Sequence, residues 1–314
     1  MNKNTYLFMF VLFGSLLFSS SNQSNEVKAD KSLNLANESL EKNYSAVISE
    51  ALKETSAEET VYPRVEIKDT EVRSLKSKYV DQEYKINIFF PKDYKKETDR
   101  YPVVYVLDAE YNFGCVAYIA RRLIKNKDIP KVLLAGIAYD TTYEDFYDKR
   151  SRDLTPLSKI HGYKTGGAKS FTLFIQNELI PFIDKNYRTI PGDRTIVGHS
   201  FGGLYCSYVL FQHPDLFNRY IIVSPSLWYS DRVVFEYEEK FSIEHQDLAA
   251  SIYLAAGGDE SLQVRDNTQM FGNKLRERGY PNLHLKASIV EGENHRSLFP
   301  YAFTRGIRFV FADK

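Results

Sequence analysis

The feature that most constrains the fold is a serine flanked by glycines, which follows a short β-branched run. Residues 195–203 read Thr-Ile-Val-Gly-His-Ser-Phe-Gly-Gly. The segment 198–202 fits the pattern G-x-S-x-G, in which the serine occupies a sharp turn between a strand and a helix. Glycine suits such a turn because it adds no Cβ. We therefore predict that 195–197 is a buried strand, that 204–211 is a helix, and that Ser200 faces that helix's N-terminus, where negative charge is stabilised.

Apolar runs that alternate with helical patterns indicate an α/β fold. The runs with strand character are 102–107, 132–138, 195–197, 219–223, 251–256 and 283–290. Several are apolar at almost every position, which is typical of parallel strands buried on both faces. We predict an α/β fold, a mostly parallel doubly wound sheet with helices on both faces, and a site beyond the carboxyl ends of the strands. Two alternating segments, 65–75 and 84–90, predict antiparallel edge strands.

The helical patterns fall between these runs. We expect helices at 116–125, 171–187, 231–244, 264–278 and 298–311, with Pro181 kinking the second of them. Residues 108–113 are expected to form a loop. The stretch 139–169 has no clear periodicity and is long for a connection, so it is expected to be a functional excursion that borders the site.

The first 60 residues differ in composition from the rest. Lys3 precedes an apolar stretch at 7–18, and Ser19, Ser20 and Ser21 follow it. This order predicts a signal peptide at 1–21, and hence export as a secreted or periplasmic protein. An uncleaved anchor is the alternative, although the stretch is short for a membrane span. Residues 22–60 are expected to be a polar linker or weakly ordered arm with a short helix near 44–53, and 61–314 are expected to form one large domain.

Charge and motif content narrow the function classes. The chain of 314 residues has a formal net charge of zero, and nothing in it suggests a nucleic-acid partner. Metal-binding patterns such as H-E-x-x-H and C-x-x-C do not occur in the sequence, so we expect no metal and no cofactor. Cys115 and Cys206 are interpreted as buried free thiols. After signal cleavage we expect no stable membrane association.

A nucleophilic serine needs a base, and the base needs an orienting carboxylate. Only one of the six histidines, His295, follows the last predicted strand in a loop, so we predict it as the base. The neighbouring His199 is expected to point away from the serine. The predicted acid follows the strand 251–256, where Glu260 is favoured and Asp259 stays open. The order of serine, acid and histidine is the one that accompanies this type of turn.

Further site residues follow from the predicted topology. One oxyanion-hole donor is expected from the backbone of Phe201, the residue after the nucleophile. The second is expected from the loop after strand 103–107, at Ala109 or Glu110. The candidate pocket residues are Trp228, Tyr229, Tyr111 and Arg152. Arg152 is a candidate partner for an anionic substrate, with Arg150 as the alternative, although a structural salt bridge is favoured for both.

Four motifs together resemble those of the esterase family in the α/β-hydrolase superfamily, the group with esterase D-like enzymes and enterobactin-type siderophore esterases. They read Gly198-His199-Ser200-Phe201-Gly202-Gly203-Leu204, Ser224-Pro225-Ser226-Leu227-Trp228, Arg152-Asp153-Leu154-Thr155-Pro156 and Glu178-Leu179-Ile180-Pro181-Phe182-Ile183. The resemblance covers roughly residues 61–312. It implies an α/β-hydrolase fold, with 61–314 as the hydrolase (esterase) domain. It also implies hydrolysis of carboxylic esters through an acyl-serine, with a small-molecule ester as the partner. The family usually has Leu-Asp-Gly where this chain has Leu107-Asp108-Ala109.

The resemblance leaves several readings open. The chain is expected to be a serine esterase, with cleavage of an enterobactin-type trilactone siderophore as the alternative. A peptidase or acyltransferase could use the same fold. A protein of another class, a non-catalytic hydrolase-fold binding protein, would usually lack one member of the triad.

Overall fold

The computed structural model describes residues 65–139, 141–156 and 164–312, together with 39–40, 42–43 and 45–47. The chain divides into two units, Met1–Val65 and Glu66–Lys314. In the first unit the described residues 39–40, 42–43 and 45–47 are helical. The predicted signal peptide lies outside the described residues, as does most of the predicted linker. No helix within the described ranges combines the length and the apolar character that crossing a membrane requires.

The second unit is built on an eight-stranded sheet. Its strands are β1 (Thr70–Ser77), β2 (Gln82–Phe89), β3 (Tyr101–Val106), β4 (Leu133–Ala138), β5 (Thr189–His199), β6 (Arg219–Val223), β7 (Ser251–Gly257) and β8 (His284–Val290). They lie in the order β1-β2-β4-β3-β5-β6-β7-β8. The pairs β1–β2 and β2–β4 are antiparallel, and all pairs from β4–β3 to β7–β8 are parallel. The predicted mostly parallel sheet with an antiparallel edge is confirmed.

Helices cover both faces of this sheet. They are α1 (Ala109–Asn126), α2 (Tyr143–Leu154), α3 (Ala168–Phe174), α4 (Ile180–Asn186), α5 (Phe201–Gln212), α6 (Tyr229–Glu244), α7 (Leu262–Arg278) and α8 (Leu298–Val310). Side chains of α1 and α8 form one buried cluster against the sheet. Side chains of the other helices contribute to a second cluster on the opposite face. The doubly wound arrangement places the ends of β5, β6, β7 and β8 along one edge, and the candidate site lies there.

Two stretches differ from the sequence-based expectation. The expected loop at 108–113 is wrong, because α1 already begins at Ala109 and only Asp108, with φ 53°, forms the turn. The stretch 139–169, expected to lack periodicity, contains helix α2. The hydroxyl of Thr142 accepts a hydrogen bond from the backbone N–H of Asp145 at 3.4 Å and so caps that helix.

The helix expected at 171–187 is continuous but changes its winding. A π-helical segment, Ile175–Leu179, lies between α3 and α4, and Pro181 occupies the first turn of α4. Proline has no N–H to donate, and its ring clashes with the carbonyl of the residue four positions earlier in a regular helix. A π turn contains one more residue than an α turn, and this wider turn accommodates the proline. The expected effect of Pro181 is therefore seen as a local change of winding.

Candidate active site

Ser200 lies on a tight turn between β5 and α5. Its φ and ψ are 60° and −117°, a conformation that non-glycine residues rarely adopt. A Cβ on Gly198 would lie 2.2 Å from the carbonyl oxygen of Gly202. A Cβ on Gly203 would lie 2.9 Å from Cα of Pro225. Both glycines are therefore required by close backbone approach, and this packing holds the strained serine in place.

Two helix N-termini meet beside this turn. Phe201 is the first residue of α5 and Ala109 is the first residue of α1, so neither backbone N–H has an acceptor within its own helix. A Cβ on Gly202 would lie only 3.3 Å from Oδ2 of Asp108, which shows how closely the start of α5 approaches the start of α1. The predicted oxyanion donors Phe201, Ala109 and Glu110 thus lie in the first turns of two neighbouring helices.

The carboxylate of Glu260 contacts the imidazole of His295. The distance from Oε2 to Nδ1 is 2.7 Å. The other oxygen, Oε1, accepts a hydrogen bond from the hydroxyl of Ser224 at 2.6 Å and one from the N–H of Gly257 at 2.8 Å. Burial alone would raise the pKa of Glu260, but the bonds from His295, Ser224 and Gly257 outweigh it and hold the pKa below its usual value. Glu260, rather than the neighbouring Asp259, is the carboxylate that reaches the histidine.

Two glycines at the end of β7 allow the loop that carries His295 to approach the loop that carries Glu260. A Cβ on Gly257 would lie 2.1 Å from the carbonyl oxygen of Glu293, and one on Gly258 would lie 2.6 Å from the carboxylate of Glu291. The backbone N–H of Asp259 donates to the carbonyl of Glu293 at 3.0 Å. The histidine loop is therefore packed directly on the acid loop. The two adjacent glycines, Gly257 and Gly258, are the sequence feature that indicates this close approach of the two loops.

His199 lies closer to the site than the sequence suggested. Its ring is 4.5 Å from that of His295, and its Nε2 lies 2.7 Å from the carbonyl oxygen of His295. Burial lowers the pKa of His199 to about 4, and the nearby imidazole of His295 adds to the effect. His199 is therefore neutral at pH 7, and it holds the backbone of the histidine loop.

A cavity of about 570 Å³ opens beside Ser200. Its wall is made by α1, α2, the serine turn and the His295 loop. The lining residues are Asp108, Tyr111, Asn112, Cys115, Phe146, Tyr147, Arg150, His199, Ser200, His295, Arg296, Phe299 and Pro300. Both Cys115 and Cys206 are free, and Cys206 is buried as predicted. The predicted burial of Cys115 is wrong, because this residue is half-buried at the cavity wall. Tyrosine and phenylalanine side chains form part of this wall. Arg296 contributes a positive charge, whereas the charge of Arg150 is balanced by Asp108.

The structure brings only part of the predicted pocket to this cavity. Tyr111 lines it, and α2 contributes Arg150 rather than Arg152, whose guanidinium pairs with Asp153 at 2.7 Å. Trp228 lines a separate depression, and Tyr229 is buried, with its ring against that of Phe201. The reason is packing, because Tyr229 is part of the buried core cluster and Trp228 packs against that cluster.

Sequence reasoning gave no role to Asp108 or Ser224. Asp108 is buried and forms a two-pronged ion pair with Arg150, at 2.6 and 2.8 Å. Ser224, which adopts φ 45°, supports Glu260. Ser224 belongs to one of the motifs of the family resemblance, and Asp108 directly follows a buried strand. Position beyond a strand end was therefore the signal that could have found both.

The site contains the parts that acyl transfer requires. A carboxylate orients an imidazole, and a serine at a helix N-terminus lines the same cavity as that imidazole. Within the described ranges, no group of three or more histidine, cysteine, aspartate or glutamate residues could hold a metal ion.

The sequence was compared with known protein families. A family model described as "Putative esterase" matches residues 77–300. The chain belongs to this esterase family. The match includes the serine turn, Glu260 and His295.

Individual relatives agree with this assignment. The chain is 32% identical to ferri-bacillibactin esterase BesA of Bacillus subtilis, over 78% of this chain and 90% of that protein. It is 27% identical to a siderophore triacetylfusarinine C esterase of Aspergillus fumigatus, over 73% of this chain and 89% of the relative. The solved structure of an IroE-like serine hydrolase from Shewanella oneidensis is 28% identical and superposes with a TM-score of 0.70, over 78% of this chain and 82% of that chain. The protein is a carboxylic ester hydrolase with the α/β-hydrolase fold.

Proposed function

We propose that the protein cleaves its ester through an acyl-serine intermediate formed on Ser200. His295 takes the Ser200 proton as the hydroxyl attacks the ester carbonyl, and Glu260 stabilises the imidazolium that results. The alkoxide of the leaving alcohol takes the proton from His295. Water, deprotonated by the same imidazole, then releases the acid and regenerates Ser200.

The oxyanion of each tetrahedral intermediate is held by backbone N–H groups. Phe201 supplies one from α5, and Ala109 or Glu110 supplies the other from α1. These donors belong to two helix N-termini, whose dipoles favour negative charge at the same point. The observation that carries the proposal is the 2.7 Å contact between Glu260 and His295 beside the strained Ser200.

Replacement of the serine tests this proposal. Ser200→Ala should lower the rate of p-nitrophenyl acetate hydrolysis by at least about 10³-fold and abolish labelling by a fluorophosphonate probe. Ser242→Ala is the matched control, since Ser242 is exposed in α6, where its hydroxyl donates only to the carbonyl of Glu239. Activity that persists in Ser200→Ala would refute the assignment. Failure of the wild-type protein to label would favour the alternative, a hydrolase-fold binding protein.

For the substrate, we propose an enterobactin-type trilactone siderophore. Two of the relatives reported above are named as siderophore esterases, and the cavity offers both aromatic and cationic contacts. Tyr111 and Tyr147 are exposed at its wall, Phe146 lies between them, and Arg296 adds a positive charge. We expect aromatic rings of a siderophore to pack against this wall, and we expect its negative charge to be attracted by the guanidinium of Arg296.

A direct comparison of substrates tests the second proposal. The purified residues 61–314 should hydrolyse a trilactone siderophore, in its free or ferric form, with a kcat/KM at least about 10²-fold above that for p-nitrophenyl acetate. The three ester bonds of the trilactone should be cleaved one after another, so that the linear monomer is the final product. A preference for simple esters would leave the serine mechanism intact and reject the siderophore.

We also propose that the protein is exported. The proposal rests on the order of three features at the N-terminus. Lys3 comes first, the apolar stretch at 7–18 follows it, and the small residues at 19–21 come directly after that stretch. Expression in its host, followed by cell fractionation and N-terminal sequencing, should find a mature chain that begins near residue 22. A chain that retains residue 1 and sediments with membranes would indicate the uncleaved anchor.

A further inference from the structure

Arg150 is a buried cation that bridges two parts of the site. It extends from α2, and its side chain is only 10% exposed. Nε donates to Oδ1 of Asp108 at 2.6 Å, and Nη2 donates to Oδ2 at 2.8 Å. This is the parallel two-bond geometry that only a guanidinium can make with a carboxylate.

The same guanidinium also reaches the serine turn. Nη2 donates to the backbone carbonyl of His199 at 3.0 Å, and the guanidinium carbon lies 5.6 Å from the centre of the Phe201 ring. His199 and Phe201 are the residues on either side of the nucleophile. Arg150 therefore contacts the residue just before α1 and the residues that flank Ser200 at the same time.

These two segments carry the oxyanion donors of the proposed mechanism. Asp108, at φ 53°, turns the chain into α1, whose first residues are Ala109 and Glu110. Ser200, at φ 60°, turns the chain into α5, whose first residue is Phe201. Both turns have unfavourable backbone conformations, which persist only when the surroundings hold them. Two donors stabilise an oxyanion only if both point to the same position within a few tenths of an ångström.

We propose that Arg150 is a positioning residue that fixes the spacing between the N-termini of α1 and α5, and so aligns the two oxyanion donors. This inference rests on the acyl-serine mechanism proposed above. A buried ion pair such as Arg150–Asp108 adds little to the stability of the fold, because the cost of desolvating its two charges largely offsets their attraction.

A second ion pair in the same helix provides a matched control. Arg152 makes a similar fork with Asp153, at 2.7 and 3.1 Å, and Asp153 also accepts from the hydroxyl of Tyr84. Asp153 is fully buried, so this pair is also a structural element of α2. It does not line the cavity beside Ser200.

The test compares Arg150→Met with Arg152→Met in the full chain. Arg150→Met should lower kcat for p-nitrophenyl acetate by about 10²-fold while KM stays within about threefold, because misplacing one oxyanion donor costs about that much. The inhibition constant of an aryl boronic acid, which forms a tetrahedral adduct with the serine, should rise by the same factor as kcat/KM falls. Arg152→Met should lower the melting temperature and leave kcat within about threefold.

Further variants separate positioning from folding. Arg150→Lys keeps the charge but cannot form the fork, so it should fold and still lose at least about tenfold in kcat. In Arg150→Ala, millimolar ethylguanidinium should restore at least about tenfold of the lost kcat. A rise in KM with unchanged kcat would show that Arg150 binds substrate, and would overturn the inference. Equal losses of kcat in Arg150→Met and Arg152→Met, or no rescue by ethylguanidinium, would overturn it too.

The outcome for Ser200 distinguishes the two proposals. If Ser200→Ala is inactive and Arg150→Met retains full kcat, the acyl-serine mechanism stands and the positioning role is rejected. If Ser200→Ala retains activity and boronic acids do not inhibit, the mechanism itself is rejected together with the inference.

Discussion

Nε2 of His199 lies 2.7 Å from the carbonyl oxygen of His295, so the side chain next to the nucleophile holds the backbone of the proposed base. A carbonyl can only accept a hydrogen bond, and Nε2 of His199 must therefore carry a proton. Burial keeps this ring neutral and lowers its pKa to about 4. The neutral form of His199 is thus part of the folded structure of the site.

The first prediction concerns pH and stability. The ordinary pKa of histidine is about 6.5, and that of His199 in the folded protein is about 4. Between these values the unfolded chain binds a proton that the folded chain does not, so stability is full above about pH 6.5 and falls as the pH drops toward 4. The loss from this residue should be about 3 kcal/mol. Urea unfolding at pH 7 and at pH 4.5 measures it.

A conservative variant isolates this contribution. The amide of His199→Gln can donate to the same carbonyl but does not titrate. The variant should therefore lose less stability between pH 7 and pH 4.5 than the wild type does, while kcat at pH 7 stays within about tenfold. An identical pH dependence in both proteins would contradict the role of His199.

The second prediction concerns the carboxylate of the site. Glu260→Gln keeps the size of the side chain but removes the negative charge that orients and stabilises the protonated His295. We expect kcat to fall by about 10³- to 10⁴-fold with little change in KM. The neighbouring variant Asp259→Asn should retain kcat within about threefold. The reverse pattern would assign the acid to Asp259.

The third prediction concerns support of the acid. Ser224→Ala removes one of the three hydrogen bonds that lower the pKa of Glu260. A carboxylate whose folded pKa is depressed stabilises the fold above its unfolded pKa, and this contribution is lost as the pH falls through the folded value. In Ser224→Ala the folded pKa of Glu260 should rise toward its ordinary value, so the variant should lose less stability on acidification than the wild type does. Urea unfolding at pH 7 and at pH 3.5 measures the two losses, and an equal loss in both proteins would count against the prediction.

The fourth prediction concerns the packing of the His295 loop on β7. A Cβ at position 257 would lie 2.1 Å from the carbonyl oxygen of Glu293. Gly257→Ala should therefore displace the loop and lower kcat by at least about 10²-fold. The control is Gly114→Ala in α1, where the new Cβ would lie 3.7 Å from Ile67. That variant should keep full activity and gain about 0.5–1 kcal/mol of stability, since alanine favours the helix. Equal activity of the two variants would show that the close approach is unimportant.

The fifth prediction concerns the aromatic wall of the cavity. Tyr111 is 58% exposed, lines the cavity and lies 5.1 Å from the Phe146 ring, edge to face. Tyr111→Ala should raise KM for an ester with an aromatic acyl group by about 3- to 10-fold, because a ring–ring contact is worth about 0.5–1.5 kcal/mol. KM for p-nitrophenyl acetate should change less. Tyr118→Ala, on the same helix and equally exposed, is the control and should change neither value.

Much of the sheet was predictable, because its central strands are buried on both faces. Such strands must be apolar at nearly every position, and β3, β4 and β6 show this directly in the sequence. The boundary of α1 was not predictable, because it depends on the left-handed conformation of Asp108, whose ion-pair partner Arg150 is distant in the sequence. The helix α2 was also missed, since few apolar residues mark its buried face.

The sequence by itself determined the serine turn, the fold class and the order of serine, acid and histidine. These depend on local requirements, such as glycine at close backbone approaches and apolar residues in buried strands, which each segment carries in its own residues. Only the tertiary structure decided that Glu260 rather than Asp259 reaches His295, that Trp228 faces away from the cavity, and that Arg150 joins two helix starts. Those relationships join residues far apart in the chain, and side-chain direction after a strand end depends on the packing of neighbouring loops. Local sequence does not encode that packing.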